Sequence, residues 1–440
     1  MEELLRKVLD YSNIQKAYNQ VVANGGSKGV DGIVTTQLKD YMQENWDRIK
    51  QEIATGCYQP QSVLGIEISK TSGGKRLLGI PVVIDRLIQQ AIHQVLHPIY
   101  DLEFSEYSYG FRPGRNAHQA INQAQRYIND GYQYIIDFDL KSFFDIVNHD
   151  YLMSLLYRKI KDKMLLKLIR KYLQSDILVG GLMQQREKGT PQGSPLSPLL
   201  SNIILTELDN ELEKRGLRFV RYADDFSIFV KSKRAANRTK RNITKFVDSK
   251  LHLRINQEKS KICRPINYFM LGYGFVPTYK KGEKGKYNFR VSPASFNQLK
   301  QKAKEITRKT LPTTFNERIT KLNHLTTGWV NYYRFANISG KLRDLDTWIR
   351  SRLRYCIWKQ WKKPNKRMRS FIRLGVPNNQ AYAWSRSRMG GWAIALSPMM
   401  KTTVSIKRLQ LRGYISFSQH FQISRRTFPS EYQLKFSFAC

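Results

Sequence analysis

The chain has 440 residues, 41% of them hydrophobic, which is enough for two or three folded domains with a substantial core. Its 74 Lys and Arg residues against 35 Asp and Glu give a formal net charge of +39, so the expected partner is a polyanion, above all nucleic acid. The basic residues are spread along the sequence, unlike the single basic amphipathic helix of a membrane-surface protein, and no apolar run approaches the ~20 residues of a membrane span.

The positive charge is concentrated towards the carboxy terminus. Residues 281–440 contain 33 Lys and Arg but only 6 Asp and Glu, a net charge of +27, whereas the first 280 residues have a net charge of +12. The four cysteines, Cys57, Cys263, Cys356 and Cys440, are widely separated and form no C-x-x-C pair, which disfavours structural zinc and a disulfide framework. The amino terminus is charged and helical, unlike a signal peptide, so we expect a cytoplasmic protein and no membrane partner.

Hydrophobic periodicity predicts an α+β fold, with strands and helices alternating over the first 280 residues. The predicted helices are 3–22, 36–54, 87–100, the later part of 108–128, 150–175, the helix that follows the Gly/Pro-rich loop in 189–215, and 234–250. The predicted strands are two around the Gly-Gly turn within 63–86, one in 132–145, the hairpin 217–232 and a pair around 268–275. From about residue 293 the pattern changes to long basic helices, so the Gly- and Lys-rich stretch 279–288 is the predicted boundary.

Two adjacent acids stand out in the sequence YADD at 222–225. Taken alone, Asp224 and Asp225 are most simply the polar turn of a hairpin. A second predicted strand ends in DFD, where Asp137 and Asp139 share one face because side chains alternate along a strand. If that strand lies beside the hairpin, Asp139 meets Asp224 and Asp225, and divalent cations relieve the repulsion. On a basic chain, this arrangement predicts nucleotidyl transfer with two Mg²⁺ ions, for which Mn²⁺ can substitute.

The motifs around these acids resemble those of reverse transcriptases, in particular the ones encoded by bacterial group II introns. They are GGKRLLGIPVVIDRLIQQAI at 73–92, EYSYGFRPGRNAHQAI at 106–121, DFDLKSFFD at 137–145, GTPQGSPLSPLLSN at 189–202, YADD, RINQEKSKI at 254–262, FMLGYGF at 269–275, GWVNYYRF at 328–335 and IWKQWKK at 357–363. The resemblance covers about residues 10–415 and implies a right-hand polymerase. It divides the chain into a helical amino-terminal extension (1–60), fingers (61–130), a palm with an antiparallel sheet and part of the fingers (131–280), and a basic helical thumb or maturase domain (281–440).

The resemblance also implies roles for single residues. Asp139, Asp224 and Asp225 match the catalytic, metal-binding triad, while Asp145 is expected to be structural. The implied nucleotide-binding positions are Lys70 and Arg76 on the triphosphate, Phe144 under the sugar, and Gln192 and Gly193 beside the new base pair. Without the resemblance, Lys70 and Arg76 are simply solvated residues near a turn, and Phe144 is a core residue.

Other matches concern proton transfer and the nucleic acid. Lys259 matches a position from which a lysine can protonate the leaving pyrophosphate, although a surface lysine is an equally good interpretation. Arg112, Arg115, Leu271 and Gly272 match template- and primer-binding positions.

The implied activity is RNA-directed DNA synthesis from an RNA template, a DNA or RNA primer and dNTPs. A second implied role is that of a maturase, which binds a structured group II intron RNA and assists its splicing. No Cys- and His-bearing nuclease module follows the thumb, so strand nicking by this polypeptide is not expected. Two alternatives stay open from sequence: a reverse transcriptase of defence or another cellular role, and an RNA-folding cofactor with little polymerase activity.

Overall fold

The computed structural model describes residues 3–69, 75–279, 282 and 285–427, and the chain divides into two compact units, Met1–Pro265 and Ile266–Cys440. Each unit combines helices with antiparallel strands, so the predicted α+β class is confirmed. The stretch 279–288, part of which lies outside the described residues, belongs to the second unit. The four-part division into extension, fingers, palm and thumb stays a prediction. In the described ranges, no helix combines the length and apolarity needed to cross a membrane.

The first unit contains two four-stranded sheets surrounded by helices. Its helices are α1 (Glu3–Val8), α2 (Tyr11–Asn24), α3 (Leu38–Thr55), α4 (Val83–Asp101), α5 (Ala117–Asn129), α6 (Phe143–Ile146), α7 (His149–Lys159), α8 (Lys163–Gln174), α9 (Ser197–Lys214) and α10 (Lys233–Leu251), with a 3-10 turn at Thr35–Gln37. Its strands are β1 (Val63–Ser69), β2 (Lys75–Ile80), β3 (Tyr134–Phe138), β4 (Ile177–Val179), β5 (Leu182–Gln184), β6 (Arg218–Tyr222), β7 (Asp225–Val230) and β8 (Lys261–Cys263).

The sheet β6-β7-β3-β8 is fully antiparallel and has two chemically different faces. Ile136 and Phe138 of β3 pair with Ile228 and Phe226 of β7, and all four are buried in the core against α9 and α10. Because side chains alternate, Asp137 and the residue opposite it, Ser227, lie on the other face. The core and the acids therefore occupy opposite sides of one sheet.

The other sheet, β2-β1-β4-β5, shows a pairing that local sequence patterns do not reveal. The β1–β2 hairpin is the predicted strand pair, and its Gly73–Gly74 turn lies outside the described residues. The short hairpin β4–β5 joins it through a parallel β1–β4 pairing, Val63 to Ile177.

Two predicted helices are each divided in two by an aspartate that caps the second half. The predicted 3–22 helix breaks before Asp10, whose carboxylate accepts a hydrogen bond from Ser12 N. The predicted 150–175 helix breaks before Asp162, whose carboxylate accepts a hydrogen bond from Leu165 N at 2.9 Å. Asp162 is 5% exposed and also accepts a bond from Leu5 N at 2.8 Å. One carboxylate thus caps α8 and satisfies an N–H of α1.

The second unit pairs a three-stranded sheet with helices rich in Lys and Arg. Its strands are β9 (Phe269–Met270), β10 (Tyr273–Pro277) and β11 (Tyr287–Val291), in the order β11-β10-β9, and a 3-10 turn spans Pro265–Asn267. Its helices are α11 (Pro293–Ile306), α12 (Phe315–Tyr333), α13 (Ser339–Gln360), α14 (Pro364–Arg373), α15 (Asn378–Ser385), α16 (Gly391–Leu396), α17 (Pro398–Thr403), α18 (Ile406–Leu411) and α19 (Phe417–Thr427). Aromatic residues on α12 and α13 face its core, as Tyr333 and Trp358 show with 8% and 4% exposure.

A buried carboxylate fixes the last described helix of this unit. Asp346 of α13 is fully buried and accepts hydrogen bonds from Tyr414 Oη, Ser416 Oγ, the backbone N of Phe417, and both N and Oγ of Ser418. These donors all lie at the start of α19, so a single side chain positions that helix against α13.

Candidate active site

The YADD sequence forms the tight turn between β6 and β7. Tyr222 pairs with Asp225, leaving Ala223 and Asp224 as the two turn residues. Ala223 has a φ of 57°, a left-handed backbone that is unfavourable for any residue with a Cβ atom. Surrounding contacts must therefore hold the turn in place.

The third acid of the predicted triad approaches the same turn from β3. The pairing of Phe138 with Phe226 directs Asp139, one residue on, towards Asp225. The Asp139 backbone is fixed on both sides: its N donates to Ser260 Oγ at 3.0 Å and its O accepts from Asn256 N at 2.8 Å. The fold thus brings Asp139, Asp224 and Asp225 together at one end of the sheet, where β3 ends and the β6–β7 turn lies.

The crowding of acids changes their protonation. Burial, then the charge of Asp224, and then those of Asp137 and Asp139 raise the pKa of Asp225 to about 7. Solvent reaches the Asp225 side chain, so water screens part of this effect. Burial is also the main cause that raises the pKa of Asp224; the charge of Asp139 adds to this effect and the charge of Arg76 opposes it. Burial raises the pKa of Asp137 to about 6.

These acids form a donor set suited to a hard divalent cation. Carboxylate oxygens are the ligands that Mg²⁺ and Mn²⁺ prefer. A bound cation would relieve the repulsion between the carboxylates and displace the protons that their raised pKa values favour. Across the described ranges, no three His, Cys, Asp or Glu side chains already stand in a metal-binding arrangement. Asp139, Asp224 and Asp225 fit the ion by the chemistry of their oxygen donors, and the charge of Asp139 acts on both other carboxylates, so the three are neighbours.

Two cations border the acids. Arg76 on β2 is exposed, and its charge lowers the pKa of both Asp224 and Asp225 against the raising effects. Lys259 Nζ lies 3.9 Å from Asp139 Oδ2, with 58% of the lysine side chain exposed. Lys70, the other predicted triphosphate contact, lies outside the described residues. The site thus combines three carboxylates with flanking basic side chains, and basic side chains are suited to binding phosphate groups.

The loop that contains Gln192 and Gly193 packs against β2. Gly79 N donates to Gln192 O at 2.8 Å, and Gly193 has a φ of 119°. A Cβ atom on Gly193 would lie 2.5 Å from Gly79 O, so only glycine fits this contact. Phe144 of α6 is half-buried with its ring edge-on to Phe143 at 5.2 Å, and its backbone O accepts from Thr190 N of the same loop.

Arg112, a predicted template contact, is bonded within the protein. Its side chain is 5% exposed and donates to Asp101 Oδ1 at 2.7 Å and to the carbonyls of Ser105, Ser108 and Asp101. These bonds engage four of the five N–H donors of the guanidinium, so Arg112 helps to close the 101–112 loop. The template contact at Arg112 stays a prediction.

The remaining predicted nucleic-acid contacts stay predictions. Arg115 is half-exposed and lies over the Tyr109 ring at 5.8 Å. Leu271 and Gly272 form the β9–β10 turn in the second unit, with φ values of 52° and 80°. A Cβ atom on Gly272 would meet Tyr333 Oη at 2.2 Å, so this turn is packed tightly against α12.

The residues that hold the YADD turn were not predicted. Arg221 and Asp209 are both fully buried and ion-paired, and the Arg221 guanidinium also donates to Asn202 Oδ1 at 2.8 Å and to Ala223 O at 3.1 Å. Asn202 Nδ2 in turn donates to Gly110 O, and a Cβ atom on Gly110 would lie 2.2 Å from Ala223 N. The available signal was Asp209, an acid between the apolar inward positions Leu205, Leu208 and Leu212 of α9.

Two family models match the chain. Residues 68–275 match the model described as "Reverse transcriptase (RNA-dependent DNA polymerase)", and residues 296–374 match "Group II intron, maturase-specific domain". The first range contains every acid of the site, together with Arg76, Phe144, Gln192, Gly193 and Lys259.

Known proteins are similar over much of the same region. Protein YkfC of Escherichia coli (strain K12) is 31% identical over 302 residues, which is 60% of this chain and 79% of YkfC. The group II intron-encoded protein LtrA of Lactococcus lactis subsp. cremoris is 32% identical over 311 residues, 56% of this chain and 52% of LtrA, so the alignment spans about half of that relative. A solved structure titled "Partial Cas6-RT-Cas1--Cas2 complex" is 27% identical over 56% of this chain and 43% of its own, with a TM-score of 0.37.

Proposed function

Because this chain belongs to the reverse transcriptases that carry a group II intron maturase domain, we propose that it extends a primer 3′-hydroxyl with dNTPs on an RNA template. Proteins of this family work with nucleic acid and divalent metal ions. The observation that carries the proposal is the meeting of Asp139, Asp224 and Asp225 at one end of the antiparallel sheet, beside Arg76 and Lys259.

The three carboxylates would hold the catalytic ions. When bound there, two Mg²⁺ or Mn²⁺ ions would activate the primer 3′-hydroxyl and stabilise the leaving pyrophosphate. Asp139 is anchored by its backbone bonds to Ser260 and Asn256, so one ligand is fixed before the substrate arrives.

The basic residues around the acids act on the triphosphate. Arg76 is exposed on β2 close enough for its charge to act on Asp224, so it can bind the triphosphate by charge-assisted hydrogen bonds. Lys259 Nζ, adjacent to Asp139, donates its proton to the departing pyrophosphate oxygen. Phe144 restricts space at the 2′ position of the incoming sugar, which favours deoxynucleotides. The Gln192–Gly193 backbone, packed on β2, supports the new base pair.

The test compares Asp224→Ala with Asp145→Asn in primer extension on an RNA template. Asp145 is an exposed acid six residues after Asp139 and serves as the matched control, since it is expected to be structural. Asp224→Ala should lower the rate at least about a hundredfold, whereas Asp145→Asn should stay within a few-fold of wild type. Near wild-type extension by Asp224→Ala would show that the triad assignment is wrong.

The maturase role is a second proposed function, supported by the match of residues 296–374 and the net charge of +27 over 281–440. It predicts that the protein accelerates splicing of a cognate group II intron RNA at low Mg²⁺ concentration. Splicing with wild type and with Asp224→Ala separates this role from polymerisation, because an RNA-folding function does not need the acids. No acceleration by either protein would favour a reverse transcriptase with another cellular role.

A further inference from the structure

Helix α10 carries a continuous row of basic side chains on its outer surface. Arg234, Arg238, Arg241 and Lys245 follow one another at intervals of four, three and four residues, so they lie on one face of the helix over about 16 Å. All four are exposed. We refer to these four residues as the α10 stripe.

The α10 stripe is not neutralised by the protein. Three helices pair a basic residue with an acid one turn away: Lys7 with Glu3 and Arg48 with Glu52, both at 2.6 Å, and Arg215 with Glu211 at 2.5 Å. In the part of the chain that the structure describes, none of the four stripe residues forms such an ion pair. The helix has seven Lys and Arg residues and a single acid, Asp248. Its outer face therefore offers charge that an external anion must balance.

The helix is held rigidly by its opposite face. Ala236, Ile243, Val247 and Leu251 are buried in the core of the first unit, and on a helical wheel they lie opposite the stripe. An open space of about 680 Å³ lies between side chains of the first turns of α10 and its N-cap, Ser232, Arg234, Ala235, Asn237, Arg238 and Arg241. The basic side chains thus project into solvent from a fixed support.

The α10 stripe lies on the reverse side of the sheet from the catalytic acids. Helix α10 packs on the face that carries Ile136 and Ile228, whereas Asp137 and Ser227 occupy the other face. In addition, β7 carries the chain away from Asp225 for about 17 Å before α10 begins. We therefore expect a duplex positioned for extension at the acids to lie on the face opposite the α10 stripe.

We propose that the α10 stripe binds the sugar–phosphate backbone of a double-helical RNA segment that is separate from the primer–template duplex. A row of three arginines and a lysine is suited to successive phosphates, to which guanidinium groups can form bidentate bonds. Binding of single strands commonly uses exposed aromatic platforms, but the only aromatic residue of α10 is Phe246, which packs against the core. A face without such platforms matches recognition of a duplex through its backbone and shape. The choice of RNA over DNA rests on the proposed function.

The experiment measures binding of a second RNA while the polymerase site is occupied. Full-length protein is first saturated with an unlabelled RNA template carrying a chain-terminated primer, and a labelled RNA hairpin of about 16 base pairs is then titrated. The test variant is Arg234→Gln/Arg238→Gln/Arg241→Gln. The control, Lys161→Gln/Lys167→Gln/Lys214→Gln, removes the same charge from exposed positions on α8, on α9 and just before α8.

The wild type and the control should bind the hairpin in a ternary complex, and the stripe variant should bind it at least about tenfold more weakly. Between about 50 and 200 mM salt, the slope of log affinity against log salt concentration should become shallower by about 2 to 3 for the stripe variant. A variant with lysine at the same three positions keeps the charge but loses bidentate bonding, so it should recover most of the affinity. The kcat of primer extension should be unchanged in all three variants, which also distinguishes a failure here from a failure of the proposed polymerase activity.

Three results would overturn the proposal. Equal weakening by the stripe and control variants would show that only net charge matters. Loss of primer extension in parallel with hairpin binding would place the stripe in the primer–template path. Loss of binding to a DNA hairpin or to an unstructured RNA of the same length, with the RNA hairpin unaffected, would assign the stripe to another nucleic acid.

Discussion

Replacement of Arg221 by methionine should destabilise the first unit strongly. The guanidinium and the Asp209 carboxylate are both fully buried, and Nε of Arg221 donates to Asp209 Oδ1 at 2.8 Å. Its loss leaves a charged carboxylate in the core without a partner, which costs about 3–5 kcal/mol. That is a large part of the ~5–15 kcal/mol by which a domain is stable, so Arg221→Met should unfold at a much lower urea concentration than wild type.

A second change separates stability from positioning. In Arg221→Met/Asp209→Leu both charges are gone and apolar side chains of similar size fill the space. Asn202 Oδ1 still loses the Arg221 donor, so stability should recover to within about 1–2 kcal/mol of wild type. The carbonyl of Ala223, however, loses the hydrogen bond at 3.1 Å that holds the left-handed turn before Asp224. A displacement of the catalytic acids by about 1 Å should keep kcat about tenfold to a hundredfold below wild type.

The assays are urea unfolding and single-nucleotide primer extension, with kcat and the KM for dNTP measured separately. Arg221 is a positioning residue in this view, because it acts on the acids through the turn. Recovery of kcat together with stability in the double variant would refute the reasoning, since it would show that the bond to Ala223 O has no influence on the acids. Wild-type stability of Arg221→Met would refute the magnitude assigned to the buried pair.

Three other predictions concern separate parts of the molecule. Gly193→Ala should reduce primer extension at least about tenfold without global unfolding, because its Cβ would meet Gly79 O at 2.5 Å; extension kinetics with a thermal melt check this. The pKa of Asp225 is raised to about 7, so its contribution to stability is present below pH 3.8 and is lost as the pH rises through 7. Divalent-ion binding has the opposite dependence: it should weaken by up to about tenfold per unit below pH 7, and a Mn²⁺ titration of Asp225→Asn should show a flatter profile. Asp346→Ala leaves several buried donors near the start of α19 unpaired, so it should lower the free energy of unfolding by at least about 3 kcal/mol. Urea unfolding and early proteolysis near Tyr414 would show this loss, and Asp346→Asn should lose less stability.

Three of the four strands of the sheet β6-β7-β3-β8 could be predicted from sequence because their signals are local, whereas the short strand β8 was missed. A buried apolar run ending in acids predicted β3, and the Asp-Asp turn between two apolar runs predicted the β6–β7 hairpin. The period of two residues places Asp137 and Asp139 on one face of β3, whereas the meeting of Asp139 with Asp224 depended on the assumed pairing of β3 with the hairpin. The roles of Phe144 and Gln192 came instead from family motifs.

The features that were missed depend on contacts between distant residues. Arg112 has the composition of a phosphate contact, and only the folded loop reveals that Asp101 and backbone carbonyls engage it. The pairing of β1 with β4 joins residues more than a hundred positions apart, which no local pattern encodes. Arg221 and Asp209 look like ordinary charges in a basic sequence until the fold places both at zero exposure.

The carboxylate of Asp162, which caps α8 and also accepts the N–H of Leu5, has a consequence for the order of folding during synthesis. The two partners are 157 residues apart, so the first helix of the chain cannot complete its hydrogen bonds until residue 162 has left the ribosome. At about 5–20 residues per second, the amino-terminal helix waits on the order of ten seconds or more for its partner. During that interval, Leu5 and Val8 of α1 can pack against α2 and α4, which emerge earlier, but not against α8. The amino-terminal segment is therefore expected to reach its final packing only after the middle of the chain has emerged.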